Sequence, residues 1–98
     1  MSSYNLVNGV YAPNNRELLT GILRCEWGFG GLVMTDWFAT GHDGSRHELC
    51  CAAGNDLIMP GTPAAVRDVY LALRSGRVSR LAAEAAARRV LRFAFGEI

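Results

Sequence analysis

The sequence predicts an α/β fold of about three parallel strand–helix units closed by a final helix. Two observations carry this. Leu32-Val33-Met34 is an apolar run without polar alternation, as expected of a parallel strand covered on both faces. Strand-like segments near Met1–Asn5, Leu32–Thr35 and Asp56–Met59 are separated each time by one helical pattern. That order, β-α-β-α-β-α-α, calls for successive right-handed parallel crossovers with Leu32–Thr35 between or beside the other two strands. Such units build part of a barrel or part of a doubly wound sheet. Alone they leave two open sheet edges, which chains normally avoid, so the chain reads as incomplete and marginally stable.

The elements follow in order. Met1–Asn5 is the first strand, and Asn8-Gly9 is a turn signal after it. Pro13-Asn14-Asn15 prepares a helix over about Arg16–Trp27, with Leu18, Leu19, Ile22, Leu23 and Trp27 on its buried face. Gly28, Gly30 and Gly31 turn the chain into the central strand. A short helix is expected from Ser45 to Ala53, with Leu49, Ala52 and Ala53 inward and Gly54 as its stop. Asn55–Gly61 is the third strand. Thr62-Pro63 opens a helix with Pro in its first turn, buried through Val66, Val69, Tyr70 and Leu73 and ended by Gly76. Ser79 caps the last helix, to about Phe95, which packs through Ala83, Ala87, Val90, Leu91 and Ala94.

Composition excludes several chemistries. The 98 residues form one domain at most, half apolar and with a net charge of +1. That balance gives no reason to expect nucleic acid or a membrane surface as partner. All ten basic residues are Arg, so Schiff-base, P-loop and receiver-type sites lack their lysine. Cys25, Cys50 and Cys51 are odd in number and lack a CxxC spacing, which reads as buried thiols in a reducing compartment, with no metal site and no cofactor. Met1-Ser2-Ser3-Tyr4 is no signal peptide, so a cytoplasmic location is expected rather than a secreted one.

The chemistry concentrates at Asp36. Ligands and catalytic groups of parallel α/β folds gather at the carboxyl ends of strands, and Thr35-Asp36-Trp37 puts an acid there. The plain alternative is a loop carboxylate or helix cap satisfied by backbone N–H groups. His42-Asp43 reads as a solvated loop pair, His47-Glu48 as surface, and Arg88, Arg89 and Arg92 as a solvated helix face. A phosphoacceptor domain also uses an acid at a strand end, but there is no Lys, no glycine-rich phosphate loop and no acidic pair on the first strand.

An ordered series of fragments adds a resemblance. Ser3-Tyr4-Asn5, Asn8-Gly9, Leu23-Arg24, Glu26-Trp27-Gly28-Phe29, Met34-Thr35-Asp36-Trp37, Ala53-Gly54-Asn55-Asp56-Leu57 and Met59-Pro60-Gly61 stand in sequence. Together they resemble glycoside hydrolase family 3, the β-glucosidase family, from Met1 to about Leu91. The Gly54–Pro60 wording is most similar to bacterial members in which the barrel domain stands last. The resemblance implies a partial (β/α)₈ barrel over residues 1–98, with units near 1–28, 29–54 and 55–76 and a final helix over 79–95.

It also implies that Asp36 is the nucleophile of a retaining β-glycosidase, a β-glucosidase first of all. Tyr4 would lie beside it, Trp37 would wall the sugar subsite, and Met1 joins them as a substrate-binding candidate. Asp56 and Met59 match an element that ties the last strand into the barrel rather than touching substrate. Nothing here matches the family's acid/base Glu, its Lys-His motif, or the Arg and Asp that read sugar hydroxyls. The expected partners are therefore a β-glucoside or oligosaccharide and the missing remainder of barrel and acid/base domain, and the chain is expected to be inactive alone. A β-xylosidase or β-N-acetylglucosaminidase of the same family, or a barrel remnant serving only as a packing or interaction module, are the alternatives.

Overall fold

A computed structural model describes residues 1–96. The three strand-like segments do meet in parallel, with the Leu32–Thr35 stretch in the middle: Ser2 bridges Thr35 on one side, and Met34 bridges Leu57 on the other. The Ser2 N–H donates to Met34 O at 2.7 Å and the Asp36 N–H to Ser2 O at 2.9 Å. Across the other edge, the Thr35 N–H donates to Leu57 O at 2.9 Å and the Leu57 N–H to Val33 O at 3.2 Å.

These pairings stay isolated bridges, which corrects the expectation of three full strands. The reason is local. Side chains occupy ladder positions: the Val33 N–H donates to the Asp56 carboxylate at 3.0 Å and the Met59 N–H to Thr35 Oγ1 at 2.8 Å. The one sheet among the described residues is antiparallel, β1 (Leu6–Val7) with β2 (Val10–Tyr11), where the sequence suggested only a turn. Its two-residue loop is Asn8-Gly9, with φ of 50° and 80°. Positive φ at both loop residues is what a type I′ hairpin requires, and Asn-Gly is the pair that tolerates it best.

The expected Arg16–Trp27 helix is a π-helix over Glu17–Glu26, and the Trp27 N–H still reaches Ile22 O at 2.9 Å. This register turns less per residue than the α-helical stripe assumes. Leu19 stays buried with Leu18 and Leu23 packed around it, whereas Trp27 rotates out to 73% exposure. Leu19, Val33 and Ala53 form the core cluster. The expected Ser45–Ala53 helix is a 3₁₀ turn, His47–Leu49, leading into the short α1, Cys50–Ala53, ended by Gly54 at φ 102°. Cys50 and Ala53 face inward there, while Leu49 and Ala52 are exposed.

The last two helices have the expected limits. In α2 (Pro63–Ser75), Thr62 Oγ1 accepts the Ala65 N–H, and Gly76 in the left-handed region ends the helix. In α3 (Arg80–Ala94), Ser79 Oγ accepts from Leu81 and Ala82. Their buried faces differ from expectation. Helix α2 lies against the His47–Leu49 turn and buries the small Ala65 and Ala72, which leaves Val66 and Tyr70 exposed. Helix α3 lies against α1 through Ala86, so Ala87, Leu91 and Ala94 look outward. Val69 and Leu73 of α2 and Ala83 and Val90 of α3 are half-buried, as the spacing implied. No described helix is long and apolar enough to cross a membrane.

Candidate active site

The Asp36 site forms where the middle segment stops pairing. The Asp36 N–H is tied to Ser2 O, and the next residues turn away with the Phe38 N–H donating to Met59 O at 2.9 Å. Asp36 Oδ1 accepts the Trp37 N–H at 2.8 Å, which fixes the carboxylate against its own backbone. That leaves Oδ2 as the oxygen the backbone does not engage. Asp36 itself is half-buried.

Tyr4 reaches the same rim, although its hydroxyl donates to Trp37 O at 2.7 Å rather than serving Asp36 alone. Partial removal from solvent raises the Tyr4 pKa, helped by the negative charge of Asp36 and by a hydrogen bond the phenol can share with it. Trp37 is 52% exposed, and its ring lies 6.2 Å from that of Phe38 in a tilted pair. Phe38, missed from sequence, adopts φ 58°, a conformation bulky residues rarely take, and exposes its ring beside Trp37. No sequence signal marks such a residue. Met1 is 70% exposed and adjoins the site only through Ser2, whose backbone brackets Met34 and Asp36.

Beneath the rim lies a second carboxylate with the opposite surroundings. The Asp56 side chain is fully buried. Its Oδ2 takes Arg24 Nη2 at 2.8 Å and the Val33 N–H at 3.0 Å, and its Oδ1 takes Arg89 Nη1 at 2.9 Å. Arg24 also donates to Gly31 O and Gly54 O, and its guanidinium lies 5.9 Å from the Phe29 ring centroid. Burial lowers the Arg24 pKa while the Asp56 charge opposes that fall. Asp56 thus ties segments together, as its motif implied. Arg89 corrects the reading of a wholly solvated arginine run, since it reaches inward from α3.

The remaining candidates separate from this site. His42 and Asp43 stay on an exposed loop, His42 edge-on to Tyr11 at 5.1 Å. His47 and Glu48 are not surface residues: His47 Nδ1 meets Thr40 Oγ1 at 2.7 Å, and Glu48 faces Arg46 at 3.5 Å. They line a polar cleft of about 450 Å³ against α2, and Asp36 is not part of its lining. The three cysteines are free; Cys50 is buried, but Cys25 is exposed, contrary to expectation. No described group of His, Cys, Asp and Glu side chains could hold a metal ion.

A carboxylate, a phenol and an indole thus stand at one rim. Comparison with known proteins decides the family, because the profile of the glycosyl hydrolase family 3 N-terminal domain matches residues 1–93. The chain belongs to glycosyl hydrolase family 3. This family 3 chain is 47% identical over 93 residues to a β-glucosidase of Rhizobium radiobacter, covering 93% of the chain and 11% of that protein. It is 43% identical over 95 residues to probable β-glucosidase K of Aspergillus fumigatus, covering 95% of the chain and 12% of that protein. Among solved structures, β-glucosidase 3B of Thermotoga neapolitana in complex with glucose superimposes with a TM-score of 0.82 at 37% identity, over 91% of this chain and 13% of that one. The family 3 β-glucosidase of Bifidobacterium adolescentis gives a TM-score of 0.74 at 40% identity, over 90% and 12%. The family 3 chain therefore spans little more than a tenth of the length of the relatives it matches.

Proposed function

We infer that this chain supplies the nucleophile side of a retaining β-glucosidase, a glycoside hydrolase acting on terminal β-D-glucosyl residues. The observation that carries the reading is Asp36 at a segment end, with Oδ1 pinned by the Trp37 N–H and Tyr4 and Trp37 beside it. Retention needs two carboxyl groups about 5–5.5 Å apart, one ionised and one protonated. Asp36 Oδ2 attacks the anomeric carbon as the bond to the leaving oxygen breaks. A carboxylic acid from outside this chain protonates that oxygen. The glycosyl–Asp36 ester then opens to water, whose proton the same outside group accepts.

Tyr4 and the Trp37 backbone hold Asp36 in its attacking pose, and positioning dominates such chemistry. Trp37 offers its exposed ring to the C–H face of a pyranose, with Met1 at the border of the same subsite. The rest of the barrel and the acid/base domain come from elsewhere in a longer parent chain. The exposed Val66 and Tyr70 face is a surface left for that remainder. The isolated 98 residues are then inactive on an aryl β-glucoside, and measurable hydrolysis by the purified chain would contradict the division of labour. The test of the nucleophile is trapping of the parent with a 2-deoxy-2-fluoro glucoside, then peptide mapping. The label is expected on Asp36; a label on Asp43, Glu48 or Asp56 overturns the assignment.

A further inference from the structure

Asp56 does more than join two segments. It brackets Val33 on both sides: its carboxylate accepts the Val33 N–H at 3.0 Å, and its own N–H donates to Val33 O at 2.8 Å. From Val33 the chain runs extended and clamped to Asp36, with the Thr35 N–H on Leu57 O and Thr35 Oγ1 on the Met59 N–H. The carboxylate is itself fixed from two further directions by Arg24 of the π-helix and Arg89 of α3, both charge-assisted bonds below 3.0 Å. A shift of Asp56 therefore cannot be absorbed between Val33 and the rim.

We propose that Asp56 is the positioning residue of the nucleophile, setting through Val33 the height at which the middle segment presents Asp36. This rests on Asp36 being the nucleophile. The buried Arg24–Asp56–Arg89 triad is then a mount held from two helices, and its geometry rather than its contribution to stability matters for bond formation. A misplacement of about 1 Å at such a distance from the reacting atoms costs on the order of a hundredfold in rate.

The experiment separates the two roles in the full-length parent. Inactivation by a 2-deoxy-2-fluoro glucoside yields a bond-forming rate constant and a binding constant, and thermal melts report stability. Asp56→Glu keeps the charge but lengthens the arm by one methylene. It is expected to melt close to the unaltered enzyme, to form the covalent ester about a hundredfold more slowly, and to bind the reagent unchanged. Asp56→Asn keeps the reach and loses the charge, so its melt should fall while ester formation, measured where it is folded, stays near normal. If Asp56→Glu does not fold, Arg89→Lys replaces it, since it keeps the cation and loses the fork, with the same split expected. Rates that follow stability in both variants, or that do not change in either, overturn the proposal. Asp36→Gly with azide is the separate control. Formation of the glycosyl azide with no effect at Asp56 sinks the positioning role alone, whereas no azide product sinks the assignment of Asp36.

Discussion

Asp36 and Asp56 are both carboxylates bonded to the same middle segment, and their surroundings could hardly differ more. Asp56 is fully buried and receives donors from a backbone N–H and from two arginines on separate helices. Asp36 is half-buried and receives one backbone N–H on one oxygen. A carboxylate enclosed by donors in the interior is closed to a substrate, and removing it leaves the buried Arg24 without its counter-charge. A carboxylate held by one oxygen at a rim keeps the other for a reaction, and little of the fold depends on it. Position in the fold, more than residue type, decides whether a carboxylate oxygen is left open.

The largest effect that would break this comparison lies in activity. Asp36→Gly should abolish nearly all turnover of the parent enzyme on an aryl β-glucoside, and added azide should restore part of it as the inverted glycosyl azide, read by product analysis. The same position should matter little to folding: Asp36→Ala is expected to change stability by about 1 kcal/mol or less in a urea melt. Asp56→Ala should do the reverse, costing about 3–5 kcal/mol by leaving Arg24 buried without its counter-charge and Arg89 without its carboxylate partner. Small domains are stable by roughly 5–15 kcal/mol, so that loss should remove about a third or more of a typical stability and show as a clearly lowered denaturation midpoint by circular dichroism. Equal losses of stability at both positions would erase the distinction.

A smaller effect sharpens the picture of the interior. Burial, with the nearby Cys51 and Glu48 charges adding to it, pushes the Cys50 thiol from its ordinary 9.0 up to about 12. The folded state thus resists a deprotonation that the unfolded chain undergoes freely. This contribution to stability is complete below pH 9 and is lost as pH rises toward 12. The loss is about 1.4 kcal/mol by pH 10. Melts of the chain against Cys50→Ala should show the steeper alkaline loss in the unaltered protein, Cys51 and Tyr4 leaving a smaller slope in both; parallel slopes would mean that the thiol is wet. The smallest effect is Tyr4→Phe, which removes the hydroxyl bonded to Trp37 O and should slow the parent about tenfold or less.

How much of this was legible in the sequence depends on the range of the interactions. Ser79, Thr62, Gly54 and Gly76 marked helix ends correctly, because caps and left-handed stops are decided within a turn of chain. The rim was legible because Thr35-Asp36-Trp37 is contiguous and Tyr4 lies on the adjoining parallel segment. What failed depended on partners far along the chain. Arg89 meets Asp56 from another helix, and no local pattern separates it from Arg88 or Arg92. The stripes on α2 and α3 were drawn from helical spacing alone: Val69, Leu73, Ala83 and Val90 are half-buried as that spacing implied, yet the fully buried positions are Ala65, Ala72 and Ala86, because the partner a helix meets decides which side turns inward. Strand length was overestimated because apolar character says nothing about Asp56 and Thr35 side chains filling ladder positions.

The outward turn of Trp27 has a practical consequence. With Trp37 exposed as well, neither indole of this chain leaves a dry environment on unfolding. Intrinsic fluorescence is therefore nearly silent to denaturation of the isolated chain, and a flat emission trace should not be taken as a stable protein. The same exposure makes Trp37 a clean optical probe of occupancy. A sugar ring settling on it would change its emission against a background that the fold itself does not disturb, and Trp27→Phe would leave that single reporter at the rim.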